Sequence, residues 1–598
     1  MSQDLTATAE DASNAALREI LISLSEHRHF RLEAGAGAGK TYSLIKSLQH
    51  ILENRGRYLP RRDQKVACLT YTNVARDEIV KRTDADPSIF ADTLHGFLWE
   101  MIRPYQKALR EFILESDRWA EILEGRTTLD GIAIEYGIGF RGDDGRVLTL
   151  HHDDIPVLAI ELFQMPKFRA LIADRFPIIL IDEYQDTPDG LVEAMLGDVD
   201  ALGATPIFGF FGDHWQQIYD KSSGPIEHAM VTPIAKHSNF RSDTAIVNFL
   251  NQLRPELPQS PAVDAQTGMV TIYHTNQWPG QRLKSHNKGQ ISQEAAHATL
   301  TWLTGNLEDF WAVQSGHIKT LMLTHATIAN ELGYSSLPRV FRYNEAFAKK
   351  ADPVVAFLVD TVEPAVDAFA NRRYGQLFKV VGGSHPNLRA HGDKVAWSAF
   401  FDQLSNKCLG GAVGDVLDHI LDQSLFPVPA AVRKRQAALE RAVEENGLDE
   451  EIKEPRILSE YQRFRNVRYS EVRALASYVD GHTTFSTKHN VKGAEFDNVI
   501  VVVGRGWSIY DFAKMLGSHL NPTQLDDRGM AAYVRARNLF YVAVSRARHN
   551  LAVLFTQELD STALLTLAEL VEPSQIVAIG YTDETTPVGH IDERTRGQ

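Results

Sequence analysis

Cysteine is scarce in this chain: Cys68 and Cys408 are the only two in 598 residues. Two thiols exclude a disulfide framework and any zinc or iron–sulfur site built on cysteine. Long apolar runs are missing as well. None approaches the ~18 residues of a membrane-crossing helix, so no membrane association is expected. The opening stretch "MSQDLTATAEDASN" is polar and acidic, unlike a signal peptide, and points to the cytoplasm. Positive charge is in deficit, with 62 Lys and Arg against 77 Asp and Glu, a net charge of −15. That argues against general nucleic-acid stickiness while leaving room for a local basic channel, because phosphate contacts depend on where the charges sit. No internal repeat is present. The remainder is an ordinary globular composition, 44% hydrophobic and 23% charged, at a length that suggests about four domains.

Against that background "RLEAGAGAGKTY" (31–42) stands out. A flexible linker would have polar, unstructured flanks. Here Phe30 and Leu32 alternate as in a short strand, and Tyr42, Ile45 and Leu48 recur at helical spacing. Strand, glycine loop, helix is the setting in which backbone N–H groups and a helix N-terminus cradle phosphate. The loop comprises Ala34, Gly35, Ala36, Gly37, Ala38 and Gly39, with Ala34 where the common pattern has glycine. Lys40 is expected to reach the β and γ phosphates, and the Thr41 hydroxyl to sit on Mg²⁺.

Apolar runs at 65–72, 177–182 and 205–213 read as buried parallel strands, as do later runs at 270–275, 318–325, 498–504 and 551–556. Two α/β domains with mainly parallel sheets follow. Two stretches poor in such strands interrupt them: 97–170, with the turn cluster "GFRGDDGR", and 340–478, mostly helical. The charged segment "RKRQAALERAVEENGLDEEIKEPR" reads as a solvated helix face followed by a loop. The last residues read as a disordered tail. "IILIDEYQDT" (178–187) places Asp182 and Glu183 just past a buried strand. An Asp there can hold Mg²⁺ and the following Glu can polarise an attacking water.

"DEYQDT" resembles the second motif of the UvrD/Rep/PcrA-type DNA helicases of superfamily 1A. "LTYTNVARDEIVKR" (69–82) looks like their motif Ia, "TLHGF" (93–97) like Ib, "FGDHWQQIY" (211–219) like III and "NFRS" (239–242) like IV. "TKHNVKGAEF" (487–496) resembles motif V and "RNLFYVAVSRA" (537–547) motif VI. The resemblance implies two RecA-like P-loop domains, each interrupted by a mainly helical insertion. Its implied boundaries are 1–96 and 171–258 for domain 1A around a 1B insertion at 97–170, then 259–339 and 479–572 for domain 2A around a 2B insertion at 340–478, with 573–598 as tail.

The resemblance further implies an ATP- and Mg²⁺-dependent 3′→5′ helicase or translocase whose partners are single-stranded and tailed duplex DNA. By motif match, Arg241 and Arg546 are arginines offered to the γ-phosphate across an interdomain cleft, Gln216 senses that phosphate, and Glu495 reaches the ribose. Tyr71, Thr72, Asn73, His95, Tyr219 and His489 are the implied DNA contacts. There are departures. The glutamine that reads adenine upstream of the P-loop has no counterpart beyond Gln3 in the polar leader or Asn14. In place of the family's "WRGA" stands "DKSSGP" (220–225), so one base-stacking contact is either missing or supplied by Trp215. The chain ends too soon after motif VI to hold a nuclease domain, so a nuclease partner in a repair or phage-defence complex, such as a Gabija-type system, is the alternative setting.

Overall fold

The computed structural model describes residues 8–123, 125–137, 141–143, 145–197, 205–217, 222–284, 288–314, 316–323, 329, 332–342, 345–348, 350–381, 390–423, 426–446, 456–479, 485–486, 494–504 and 510–589. The strands, in chain order, are β1 (His29–Ala34), β2 (Val66–Thr70), β3 (Ile89–Thr93), β4 (Ala133–Tyr136), β5 (Gly142–Asp143), β6 (Val147–Leu150), β7 (Ile178–Asp182), β8 (Ile207–Gly212) and β9 (Val231–Lys236). They continue as β10 (Ser238–Asn239), β11 (Ser260–Pro261), β12 (Met269–His274), β13 (Ile318–Met322), β14 (Phe485–Ser486), β15 (Phe496–Val503), β16 (Ala547–Phe555), β17 (Ile576–Ala578), β18 (Gly580–Tyr581) and β19 (Pro587–Val588).

Two six-stranded sheets organise the molecule. The first runs β3-β2-β7-β8-β1-β9 and the second β14-β13-β15-β16-β12-β17. Every neighbouring pair in both is parallel. Helices cover both faces of such sheets, so their central strands are apolar on both sides: β7 and β8 are buried along their whole length. Close packing dictates Gly209 in β8, where an added Cβ would lie 2.4 Å from the Phe30 ring. In the first sheet β8 separates β1 from β7. The carboxyl ends of these three strands therefore converge, and ligands of open α/β sheets bind at such ends. The two sheets are RecA-like domains, as the motif order predicts.

Each domain carries an insertion. In the first, helices Leu94–Ile102, Gln106–Leu114, Asp154–Phe163 and Pro166–Arg175 surround a small sheet of order β4-β6-β5. The second is helical among the described residues, from Pro353–Phe357 to Tyr469–Val479. It shares one apolar core with the second sheet, running from Phe400, Phe401 and Val472 to Ile500 and Leu554. The charged segment forms the helix Ala430–Asn446, and the loop expected after it lies outside the described residues. No described helix is long and apolar enough to cross a membrane.

The expected disordered tail is a correction. Within 573–589, β17 extends the second sheet by pairing with β12, and β18 and β19 form a hairpin. Ile579 is fully buried, Trp278 Nε1 donates to the Glu584 carbonyl (2.8 Å), and the Tyr581 hydroxyl meets Thr299 Oγ1 (2.9 Å). The polar composition of this stretch is that of a sheet edge and a hairpin turn, and it conceals the few side chains that anchor it.

Candidate nucleotide site between the two parallel sheets

The glycine loop leaves β1 at Ala34 and delivers Lys40 to the start of the helix Lys40–Glu53. Gly37 and Gly39 both adopt φ +76°, a left-handed conformation that costs glycine almost nothing and other residues about 1 kcal/mol or more. Gly39 caps the helix without a side-chain hydrogen bond, and the first turn carries no acidic residue. Its leading N–H groups and its dipole are thus set for an anion. Thr41 follows in that first turn.

The loop is gripped from outside by residues to which the motif matches gave no role. Lys236 Nζ donates to the Gly39 carbonyl (3.0 Å), Asn239 Nδ2 to the Ala36 carbonyl (3.2 Å) and Ser238 Oγ to the Ala38 carbonyl (3.0 Å). The Phe240 N–H donates to the Gly37 carbonyl (2.9 Å). From the second domain, the Tyr541 hydroxyl accepts the Ala36 N–H (3.1 Å).

Across the loop, Lys40 Nζ pairs with Glu183 Oε2 at 3.1 Å. Burial works against the Lys40 charge, but Glu183, Asp213 and Asp182 outweigh it and leave the ammonium above its ordinary pKa. Asp182 closes β7 and is buried. Glu183 follows at φ +52°, a strained backbone for a glutamate, and such strain concentrates at functional turns. Gln185 Nε2 holds Glu183 Oε2 at 2.5 Å.

At the end of β8 the Gln216 amide donates to Asp213 Oδ2 (2.6 Å), and its Oε1 accepts from Arg546 Nη2 (3.3 Å). Arg546 is 1% exposed. Burial, with the Arg241 charge close by, pushes its guanidinium below its ordinary value, although Glu183 and Asp213 pull the other way. A buried cation so placed gains from any nearby anion. Arg546 therefore arrives from the far sheet as expected. Arg241 does not, and this is a correction. It follows β10 on the segment that grips the loop, and reaches the second domain through Ser545 O (3.0 Å) and Glu495 Oε2 (2.9 Å). Glu495 is also paired with Arg548 at 2.5 Å. Burial alone would raise its pKa, but Arg241 and Arg548 together lower it.

Four of the residues matched to DNA contacts, Tyr71, Thr72, Asn73 and His95, are described. Tyr71, Thr72 and Asn73 are exposed just past β2, with Thr72 capping the helix Asn73–Arg82 through Ala75 N (3.2 Å). His95 stacks face to face on His152 of the first insertion, with ring centroids 3.6 Å apart. Burial, then the His152 charge, pulls His95 down to about 4. An imidazole depressed below its unfolded value loses stability as pH falls. The unfolded chain binds the proton from about 6.5 downwards, and the folded chain only near 4. His95→Phe is accordingly expected to flatten the fall in unfolding free energy between pH 6.5 and 4 by roughly 1 kcal/mol, measured by urea denaturation across that range. Tyr219 and His489 lie outside the described residues, as does Gln3, and Asn14 is exposed on the first helix.

Trp215 is a second correction. It is 3% exposed and held between Arg537, 3.7 Å from its ring centroid, and Arg254, at 5.2 Å. It offers no face to a base. It belongs to a buried cluster comprising Glu33, Asp213, His214 and Arg254. Ligand atoms of Glu33, Asp213 and His214 lie within 4.8 Å of one another, but the Arg254 guanidinium already occupies this spot, donating to Asp213 Oδ1 (2.6 Å) and Glu33 Oε1 (3.0 Å). Burial would raise Glu33, yet His214, Arg254 and Tyr184 together hold it at about 2. The one trace in the sequence was a glutamate inside a buried strand, which demands a partner.

Residues 18–222, which contain the loop, both carboxylates and Gln216, match the family model described as AAA domain. Over 91% of its length the chain is 21% identical to the Gabija protein GajB of Bacillus cereus (strain HuB5-5), covering 95% of that protein. With the motif order and the paired RecA-like sheets, these matches make the chain similar to the UvrD-like helicase-type ATPases.

Proposed function

We propose that this chain is a 3′→5′ DNA translocase and helicase whose ATP hydrolysis is stimulated by single-stranded DNA. The observation that carries the reading is the Lys40–Glu183 pair of the first sheet standing within electrostatic reach of Arg546 of the second, which bonds Gln216. In this scheme the loop N–H groups and Lys40 take the β and γ phosphates, with Lys40 exchanging its bond to Glu183 for one to phosphate. Thr41 and Asp182 supply a hydroxyl and a carboxylate, the hard oxygen donors that suit Mg²⁺, which neutralises charge on the phosphates. Glu183, freed from Lys40, orients the attacking water. Gln216 carries the state of the γ-phosphate to Arg546, which with Arg241 meets the charge that spreads over the transferred group. Glu495, released from its arginines, turns to the ribose.

DNA would cross both domains at the exposed Tyr71–Asn73 turn, with His95, Tyr219 and His489 completing the track, and favour closure of the cleft. Since the match to the Gabija protein GajB spans nearly the whole length of both chains, we place the chain in a Gabija-type antiviral defence system, beside a nuclease partner that does the cutting. The test is unwinding of tailed duplexes by the purified chain. A duplex with a 3′ tail should be opened in preference to one with a 5′ tail, without strand cleavage. Preference for the 5′ tail, or metal-dependent cutting that survives Lys40→Ala, overturns the assignment.

A further inference from the structure

Glu33, Asp213 and Arg254 form a buried charge cluster that the nucleotide chemistry above does not use. Asp213 is fully buried, Arg254 is 2% exposed and Glu33 8%, so neither carboxylate can turn to water for compensation. Arg254 caps the helix Thr244–Leu253, whose body packs on β12 and β16 of the second sheet. Its side chain points back to the strand ends of the first. We infer that Arg254 is a positioning residue that sets both the Gln216 amide and the glycine loop, an inference that rests on the ATPase reading above.

Two routes lead out from it. Arg254 Nη1 fixes Asp213 Oδ1 at 2.6 Å, and the other oxygen of Asp213 receives the Gln216 amide at 2.6 Å. With its nitrogen thus held, Gln216 turns its carbonyl oxygen to Arg546. The second route passes through aromatic rings. Arg254 lies over Trp215 at 5.2 Å and over Tyr541 at 5.6 Å, and those two rings meet edge to face at 5.4 Å. The Tyr541 hydroxyl then fixes the Ala36 N–H of the loop. The second arm of the guanidinium holds Glu33, one residue before the loop, whose oxygens also take the Tyr184 hydroxyl (2.5 Å) and the His214 N–H (3.0 Å). One planar fork thus ties the glycine-loop strand, the turn after β7 and the turn after β8 to a helix seated on the other domain. Lysine, a point charge, cannot make both contacts and lie flat on Trp215.

The experiment compares parent, Arg254→Met and Arg254→Lys by DNA-stimulated ATPase kinetics, melting temperature and hydrogen exchange of peptides covering 33–40 and 213–217. Misplacing a reacting group by about 1 Å costs on the order of a hundredfold in rate. Arg254→Met should therefore lose about that in kcat, with KM changed less than about threefold, and Arg254→Lys at least about tenfold. Exchange should accelerate in the two named peptides and not in one covering β2. Unchanged kcat in the lysine variant, or exchange at 33–40 and 213–217 like the parent's, overturns the inference. If the methionine variant does not fold, the lysine variant decides. A parent that fails to hydrolyse ATP defeats the functional reading instead, and the exchange comparison then decides the positioning role by itself.

Discussion

Lys40→Ala is expected to lose both ATP binding and hydrolysis, whereas Glu183→Gln should bind ATP like the parent and turn it over about a hundred to a thousand times more slowly. The two residues touch, Nζ to Oε2 at 3.1 Å, yet their losses differ in kind. Lys40 is the half-buried cation at the end of the loop, kept charged by Glu183, Asp213 and Asp182 against the cost of burial. Removing it leaves those three carboxylates facing the triphosphate, and phosphate binding fails on charge alone. Glutamine at 183 keeps the shape and the contact with Gln185, and can still accept from Lys40, but it is a far weaker base. Binding of a fluorescent nucleotide, measured beside steady-state hydrolysis, separates the two cases. Normal turnover by Glu183→Gln would show that another group orients the water.

Arg546→Ala should lower kcat by roughly a thousandfold or more while ATP binding changes little, the range found when an arginine facing transferred phosphate is removed. Arg546 is held by the Val542 carbonyl (2.8 Å), Ser545 Oγ (3.0 Å) and Gln216 Oε1 (3.3 Å), all neutral acceptors. Among the described residues Tyr541, Glu183 and Asp213 favour its charge, while burial and Arg241 oppose it and prevail. Charge gathering on the γ-phosphate would complete that compensation, most of all in the transition state. Arg546→Lys should be nearly as slow, because an ammonium cannot span the same acceptors. Equal losses in kcat and in nucleotide affinity would mean that Arg546 serves ground-state binding.

The inner strands of both sheets could be read from the sequence because central strands of parallel sheets are apolar on both faces, and "IILID" and "IFGFFG" are unbroken runs, whereas the edge strands β3, β9, β14 and β17 carried no such run. The glycine loop and the Asp182–Glu183 turn were legible because phosphate and metal chemistry admits few residue types at such spacing. The three strands of the first insertion were not, being two to four residues long beside a turn-rich segment. Nor was the ordered hairpin at 580–588, which is held by single contacts from Trp278 and Thr299. The seam was the least legible part. Arg241, Arg254 and Tyr541 act through partners 254, 221 and 505 residues distant, and local pattern carries no information at that range. Motif context put Arg241 on the far side of the cleft, and Trp215 on the DNA path. Packing placed the first with the loop and buried the second between arginines.

On the proposed function, DNA lying across both domains drives closure of the nucleotide site and so speeds ATP hydrolysis. The most direct measurement is the ATPase rate of the purified chain with and without single-stranded DNA, over a range of oligonucleotide lengths and salt concentrations. Strong stimulation is expected, growing with length until both domains are spanned and weakening as salt screens the phosphate contacts. The same turnover with and without DNA, at every length and salt, would contradict it.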